Sequence, residues 1–173
     1  LANSGVYYAA NSTNYGLTAD TTASTTAGPS VAYNVVDYLT VRAKDAYSSA
    51  ISSTSGILQV TATNGALANV GYQTVSTPTY STAYLTNNSP DGAMIAVSNP
   101  TKAPLTTTVT VTYNGTVVAT KSVTFVGEVA SVKVVPTATG KLSSVDTAVA
   151  TIAFADAAGN AIYPNSTSWP IGN

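Results

Sequence analysis

The sequence predicts an all-β protein built from tandem antiparallel β-sandwich modules with Greek-key connections, the second of them incomplete, and three observations carry that prediction. Apolar and polar residues alternate with a period of two through much of the chain, with β-branched residues throughout the alternating runs. Asn114-Gly115 lies between two such runs, and both central positions of the tightest hairpin turn need positive φ. A twelve-residue stretch starting at Thr40 returns at Thr151, 111 residues later, about the length of one small β-domain. No helical periodicity persists over three turns.

In chain order, strands are predicted at residues 34–44, 57–63, 80–85, 93–98, 106–112, 117–125, 128–135 and 147–155. Pro78, Pro90, Pro100 and Pro104 punctuate them, and Asn64-Gly65, Asp91-Gly92 and Gly159-Asn160 supply turns. The best-marked pair is residues 106–112 with 117–125, joined through Asn114-Gly115. In the repeat, Thr40-Val41-Arg42-Ala43-Lys44-Asp45-Ala46-Tyr47-Ser48-Ser49-Ala50-Ile51 returns as Thr151-Ile152-Ala153-Phe154-Ala155-Asp156-Ala157-Ala158-Gly159-Asn160-Ala161-Ile162. Equivalent positions share a face, so Val41 with Ala43, and Ile152 with Phe154, are expected to point into successive cores.

Laid over the chain, the repeat divides it into three parts. Residues 1–14 read as an N-terminal arm or the last strand of a preceding module, 15–126 as a complete sandwich, and 127–173 as a partial second module. The last part is too short for seven strands. The chain is therefore expected to be an excerpt of a longer array, or a subunit completed by a neighbour's strands.

The second copy of the repeat resembles the strand, Asp-Ala-x-Gly-Asn turn and strand near the start of bacterial Ig-like modules of the invasin type. Val60-Thr61-Ala62-Thr63-Asn64-Gly65-Ala66-Leu67 and Ser122-Val123-Thr124-Phe125 are similar to that family's middle and closing strands. The resemblance implies stacked β-sandwiches of cell-surface layers, adhesins or virions, and it carries over no catalytic residues. The first copy departs from the pattern, with Tyr47-Ser48-Ser49 in place of Ala-Gly-Asn.

Composition excludes much chemistry. Cysteine and histidine are absent, which removes disulfides, thiolate metal sites, the usual general base and the commonest zinc ligand. Only 8% of residues are charged and the net charge is -1, so no basic patch neutralises phosphates and nucleic acid is not an expected partner. No apolar run approaches the ~20 residues of a membrane span. Ser and Thr make up 48 of the 173 residues, and Tyr outnumbers Phe by 11 to 2. A surface so poor in charge has little repulsion to keep copies apart, and its hydroxyls form neutral hydrogen bonds that salt hardly screens. Copies of the chain itself, as a homopolymer or lattice, are the expected partners, with surface glycans beside them. The same composition suits an extracellular setting.

The candidate site residues are few. Asp45 and Asp156 hold equivalent repeat positions, where a carboxylate either accepts turn N–H groups or joins calcium at a module boundary, with Asp20, Asp37 and Asp146 able to join through folding. No segment has D-x-D-x-D-G spacing. Asn11, Asn87, Asn114 and Asn165 begin N-x-Ser/Thr sequons in expected turns or loops, which makes them glycosylation candidates. Asn114, Gly115, Gly159 and Asn160 are structural turn residues.

Glu128 is the only Glu and has no nearby acid for paired-carboxylate glycoside cleavage, so it reads as a solvated linker charge. Lys44 and Lys121 are candidates for an intramolecular isopeptide bond, which needs a buried Lys-Asn-acid trio. Tyr7, Tyr8, Tyr15, Tyr33, Tyr38 and Tyr47 crowd the first third and serve either packing or contacts. The expected function is a structural, non-enzymatic subunit of an extracellular surface assembly, an S-layer or filament, with no cofactor unless calcium. An adhesin stalk and a virion decoration or tail-fibre module are the alternatives.

Overall fold

The computed structural model describes residues 4–9, 31–32, 36–52, 55–136 and 150–162. Their regular structure is all β: β1 (Gly5–Ala9), β2 (Val31–Ala32), β3 (Asp37–Arg42), β4 (Ile57–Ala62), β5 (Leu67–Tyr72), β6 (Thr82–Thr86), β7 (Ala93–Ser98), β8 (Leu105–Tyr113), β9 (Thr116–Val126), β10 (Ser131–Pro136), β11 (Ala150–Ala155) and β12 (Ala161–Ile162). They form a four-stranded sheet, β1-β3-β7-β5, a five-stranded sheet, β2-β9-β8-β4-β6, and a three-stranded sheet, β10-β11-β12. Pairing is antiparallel except for β2 on β9, which is parallel.

The two larger sheets make one sandwich, and period-two alternation is what builds it. Strand side chains point to opposite faces in turn, so each strand offers every second residue to the interior. Val6, Leu39, Val41, Val70, Ile95 and Val97 come from one sheet, and Leu58, Val60, Val109, Val111, Val123 and Phe125 from the other, all in one buried cluster. Between β3 and β5, strand β7 is buried from Ala93 to Val97. Its residues read as a continuous apolar run for that reason.

The Asn114-Gly115 pair forms the turn of the β8–β9 hairpin, with φ of 48° and 79°. Along β9 the register shifts by one residue opposite Val111 and Thr112, a bulge that leaves Val118 without a cross-strand partner. The bulge resets the alternation, so Val118 is buried before it and Lys121, Val123 and Phe125 after it. Asn64-Gly65 has the same left-handed geometry, with φ of 57° and 84°, and a Thr63 carbonyl to Ala66 N–H bond of 3.1 Å. It carries the chain from β4 in one sheet to β5 in the other. A local turn reverses the chain; the packing of the next strand decides its sheet.

Two features lie beyond what the sequence reading placed. Residues 5–9, expected as an arm or a preceding module's closing strand, form an edge strand of this sandwich. Gly5 to Ala9 pair with Arg42 to Tyr38, and Val6 lies fully buried in the core. Strand β5 was not foreseen: its Leu-Ala-Asn-Val-Gly-Tyr sequence is poor in β-branched residues, yet it alternates in burial and pairs with β7 along its whole length.

The three-stranded sheet repeats the start of the sandwich. Val134 lies opposite Ile152 on β10 and β11 as Val6 lies opposite Val41 on β1 and β3. The connections differ in length, residues 10–36 in the first copy and 137–149 in the second, so an overlay anchored on the repeat misplaces the first strand. Val41 and Ala43 are fully buried as expected, whereas Ile152 is 60% exposed.

Gly115 has open space where a Cβ would sit, so backbone conformation alone penalises a side chain there. Gly115→Val is expected to destabilise the sandwich by about 1 kcal/mol or more. The measurement is chemical denaturation with an unchanged m-value; an unchanged midpoint would reject the assigned strain.

Candidate functional site

The two repeat aspartates build the same turn, bond for bond. The Asp45 Oδ1 accepts the N–H groups of Tyr47 at 2.8 Å and Ser49 at 2.9 Å, and the Asp156 Oδ1 accepts those of Ala158 and Asn160 at 2.9 Å each. In the backbone, Asp45 donates to the Ser49 carbonyl at 3.0 Å and accepts from Ser48 at 3.2 Å, while Asp156 donates to Asn160 and accepts from Gly159, both at 3.0 Å. This geometry puts the fourth residue in the left-handed region: Gly159 at 83° and Ser48 at 65°. The first copy, despite Tyr47-Ser48-Ser49, keeps the turn and places a serine where glycine fits better.

Asp156 goes further. Its Oδ2 accepts the Gly127 N–H at 3.0 Å and the Asn160 side-chain amide at 2.9 Å, and the residue is buried. Burial pushes its carboxyl up, but the Gly127, Asn160 and Ala158 donors outweigh that and hold it below its ordinary 3.8. Its contribution to stability is therefore complete above pH 3.8 and lost as pH falls through the lowered value. Asp45 lies in an exposed turn, and among the described residues its side chain makes only the local bonds.

Asp156 thereby clamps the end of the sandwich to the small sheet. Next to it Glu128 donates its N–H to the Lys102 carbonyl at 3.0 Å and its carboxylate faces Lys102 Nζ at 3.4 Å, an exposed pair. Ala130 donates to Ala155 at 2.9 Å. Both side-chain oxygens of Asp156 accept N–H groups and Glu128 Oε2 faces an ammonium, and no three acids gather among the described residues. Asp20 and Asp146 lie outside the described residues.

Asn114 and Asn87 stand in exposed turns with φ of 48° and 57°. The Asn114 side-chain oxygen accepts the Ile57 N–H at 2.9 Å, tying the hairpin turn to β4. Asn11 and Asn165, with Tyr15 and Tyr33, lie outside the described residues. Of the remaining tyrosines, Tyr47 stands almost fully exposed and Tyr7 and Tyr38 half-buried. Tyr80 and Tyr84, which the sequence did not single out, are exposed and line a shallow recess with Asn69 and Thr82.

Within the sandwich, sequence reasoning named Lys121 and Asp37 separately, and the fold relates them. Lys121 is almost fully buried on the inward side of β9. Asp37, on the core side of β3 by alternation with Leu39 and Val41, has a buried Oδ2 without a hydrogen-bond partner. Burial pushes the Asp37 carboxyl up from 3.8 to about 7, against the opposing pull of the Tyr38 N–H and the Lys121 charge. Lys44, the other isopeptide candidate, instead exchanges hydrogen bonds with Ser4, its N–H to Oγ at 2.8 Å and its carbonyl from Oγ at 3.1 Å.

Two outcomes follow. Ser48→Gly is expected to stabilise the protein by about 0.5 to 1 kcal/mol by relieving the left-handed serine, read as a raised denaturation midpoint. For Asp37, the unfolded chain releases its proton near 3.8 while the folded chain holds it to about 7. Stability should therefore fall as pH rises through that window, by at most ~1.4 kcal/mol per pH unit. Asp37→Asn should flatten that slope in melts recorded from pH 4 to 8.

No protein-family model and no curated protein matches the sequence. Among solved structures, the chain is similar to the surface layer protein SbsC, domains 1-6, with 19% identity and a TM-score of 0.39 over 78% of this chain and 16% of that one. It is also similar to domains 5-6 of the S-layer protein SbsC, with 20% identity and a TM-score of 0.38 over 79% of this chain and 62% of that one. The chain thus spans about a sixth of the first structure and under two thirds of the second.

Proposed function

We propose that this chain is a structural, non-enzymatic segment of an extracellular surface assembly, an S-layer or filament, in which repeated Ig-like sandwich modules supply shape and neutral surfaces supply contacts between copies. The observation that carries the reading is the duplicated aspartate turn, which recurs with the same four hydrogen bonds and, in its second copy, fastens the end of the sandwich to the small sheet. A module boundary closed by a buried carboxylate serves spacing and stiffness. In this reading residues 127–173 belong to a second module, and Asp45 and Asp156 act as turn formers, Asp45 through its Oδ1 and Asp156 through both oxygens, with calcium secondary.

Outward positions support neutral contacts. Thr106, Thr108, Thr120 and Thr124 line the outer face of the β8–β9 hairpin, and Thr106 and Thr124 face each other at 3.2 Å. Such hydroxyl rows associate through hydrogen bonds that ionic strength hardly weakens. An adhesive reading draws on Tyr80 and Tyr84, whose exposed rings beside Asn69 suit stacking on a sugar.

The test is the size of the native particle. Negative-stain microscopy and light scattering should find sheets or filaments that persist, within about a factor of two in amount, from 0.05 to 1 M NaCl, a range over which the Debye length shrinks roughly fourfold. A strict monomer that binds glycan would select the adhesive reading, and dissolution by salt would reject neutral contacts.

A further inference from the structure

Two rows of inward side chains face each other across the sandwich. In the five-stranded sheet Ala62 of β4 pairs with Val109 of β8, and Val109 with Lys121 of β9. In the four-stranded sheet Ala68 of β5 pairs with Val97 of β7, and Val97 with Asp37 of β3. Cross-strand partners share a face, and Ala62, Val109, Lys121, Ala68 and Val97 are all buried. The Asn64-Gly65 turn joins the rows at one edge, between Ala62 and Ala68, and β1 lies against β9 at the other. Both rows therefore run at one level of the sandwich, each two strands out from the common turn, and end on Lys121 and Asp37 in facing positions.

Lysine is almost never fully buried, yet Lys121 is 1% exposed. Facing sheets pack about 10 Å apart, a gap that the long lysine stem and the short aspartate stem span together. Among the described residues the Asp37 Oδ2 is buried without a hydrogen-bond partner, so the Tyr38 N–H that acts on this carboxyl falls to Oδ1. One oxygen is thus polarised as a carbonyl, and the other is left as the leaving group. Burial favours the protonated acid, the form in which that oxygen departs as water.

We propose that Lys121 and Asp37 are the site of an intramolecular isopeptide bond that ties β9 to β3 across the core. The neutral Lys121 Nζ attacks Asp37 Cγ, and the negative charge that develops on Oδ1 meets the Tyr38 N–H. The Nζ–Cγ bond forms, the Cγ–Oδ2 bond breaks, and one Nζ proton leaves with the Oδ2 hydroxyl as water. Nothing is oxidised or reduced, and no co-reactant is consumed. Sequence reasoning asked for a Lys-Asn-acid trio; here aspartate stands for the asparagine, water replaces ammonia as the leaving group, and a backbone N–H stands for the second acid. Well-oriented groups in one molecule reach effective molarities of roughly 10⁵ M or more, and a dry core keeps water from reversing the step. The product is a neutral amide, which removes from the core two groups that are costly there as ions. The pH dependence of Asp37 derived above belongs to the chain before closure, because an amide has no carboxyl proton to release.

The test is intact mass spectrometry of the denatured full chain, taken before and after several days of incubation near neutral pH. Wild type should end lighter than its 17.4 kDa by one water, and a protease digest should yield one branched peptide joining residue 37 to residue 121. Asp37→Asn should close with loss of ammonia to the same final mass, and Lys121→Met should keep its full mass. Closed wild type should also lose the slope of stability with pH below about 7 and unfold at higher denaturant than the open chain. A natively folded wild type that keeps its full mass would overturn the proposal. So would a water loss that persists in Lys121→Met, or one that maps to Asp91-Gly92, where a succinimide has the same mass. If Lys121→Met fails to fold, the digest of wild type decides, and absence of the branched peptide overturns the bond.

Discussion

Small branched side chains pressed between two sheets carry this fold. With no disulfide and few ion pairs, the sandwich relies on the seam in which Val6, Leu39, Val41, Ile95 and Val97 meet Leu58, Val60, Val109, Val111, Val123 and Phe125. Burying apolar area is non-directional, at roughly 25 cal/mol per Å², so alternation alone must say which side faces in. Directional polar groups enter where alternation does not reach, at the turns and the junction. The β9 bulge belongs to the same logic: by shifting the register one residue it brings Val118 and Lys121 to the same interior.

That interior contains one group working against it. A carboxylate among valines is expensive unless its oxygens are satisfied, and Asp37 has one buried oxygen with no partner. The Lys121 charge offsets part of the burial without restoring an ordinary carboxylate. The sandwich is thus best accommodated to a protonated Asp37, and neutral solution asks it to hold a charge it only half solvates.

Much of this was legible in the sequence because the signals were local. The β8–β9 hairpin followed from Asn114-Gly115, and β7 from its apolar run over residues 93–98. The equivalence of Asp45 and Asp156 followed from the repeat, although the identity of the turn in the first copy did not, since Ser48 adopts a conformation that its residue type disfavours. What escaped was non-local. Nothing in Gly5-Val6-Tyr7-Tyr8-Ala9 distinguishes pairing with β3 from closing an earlier module, because an edge strand carries the same alternation in either place. Strand β5 takes its conformation from β7 beside it. The Gly127 bond to Asp156 spans 29 residues, and no spacing rule announces it. Tyr80 and Tyr84 were likewise invisible as a pair until β6 fixed Tyr84 and the bridge to Ala68 fixed Tyr80.

The Asp156 clamp also has a mechanical side. A chain pulled from its two ends would normally yield first at the flexible step between folded units. Here tension leaving β9 at Val126 meets, one residue later, a bond from Gly127 to a carboxylate that is itself tied into the turn after β11. Load therefore divides between the covalent backbone and the far end of the next sheet, and the joint resists bending. Under such a pull the compliance lies in the sheets and not at the step after Val126.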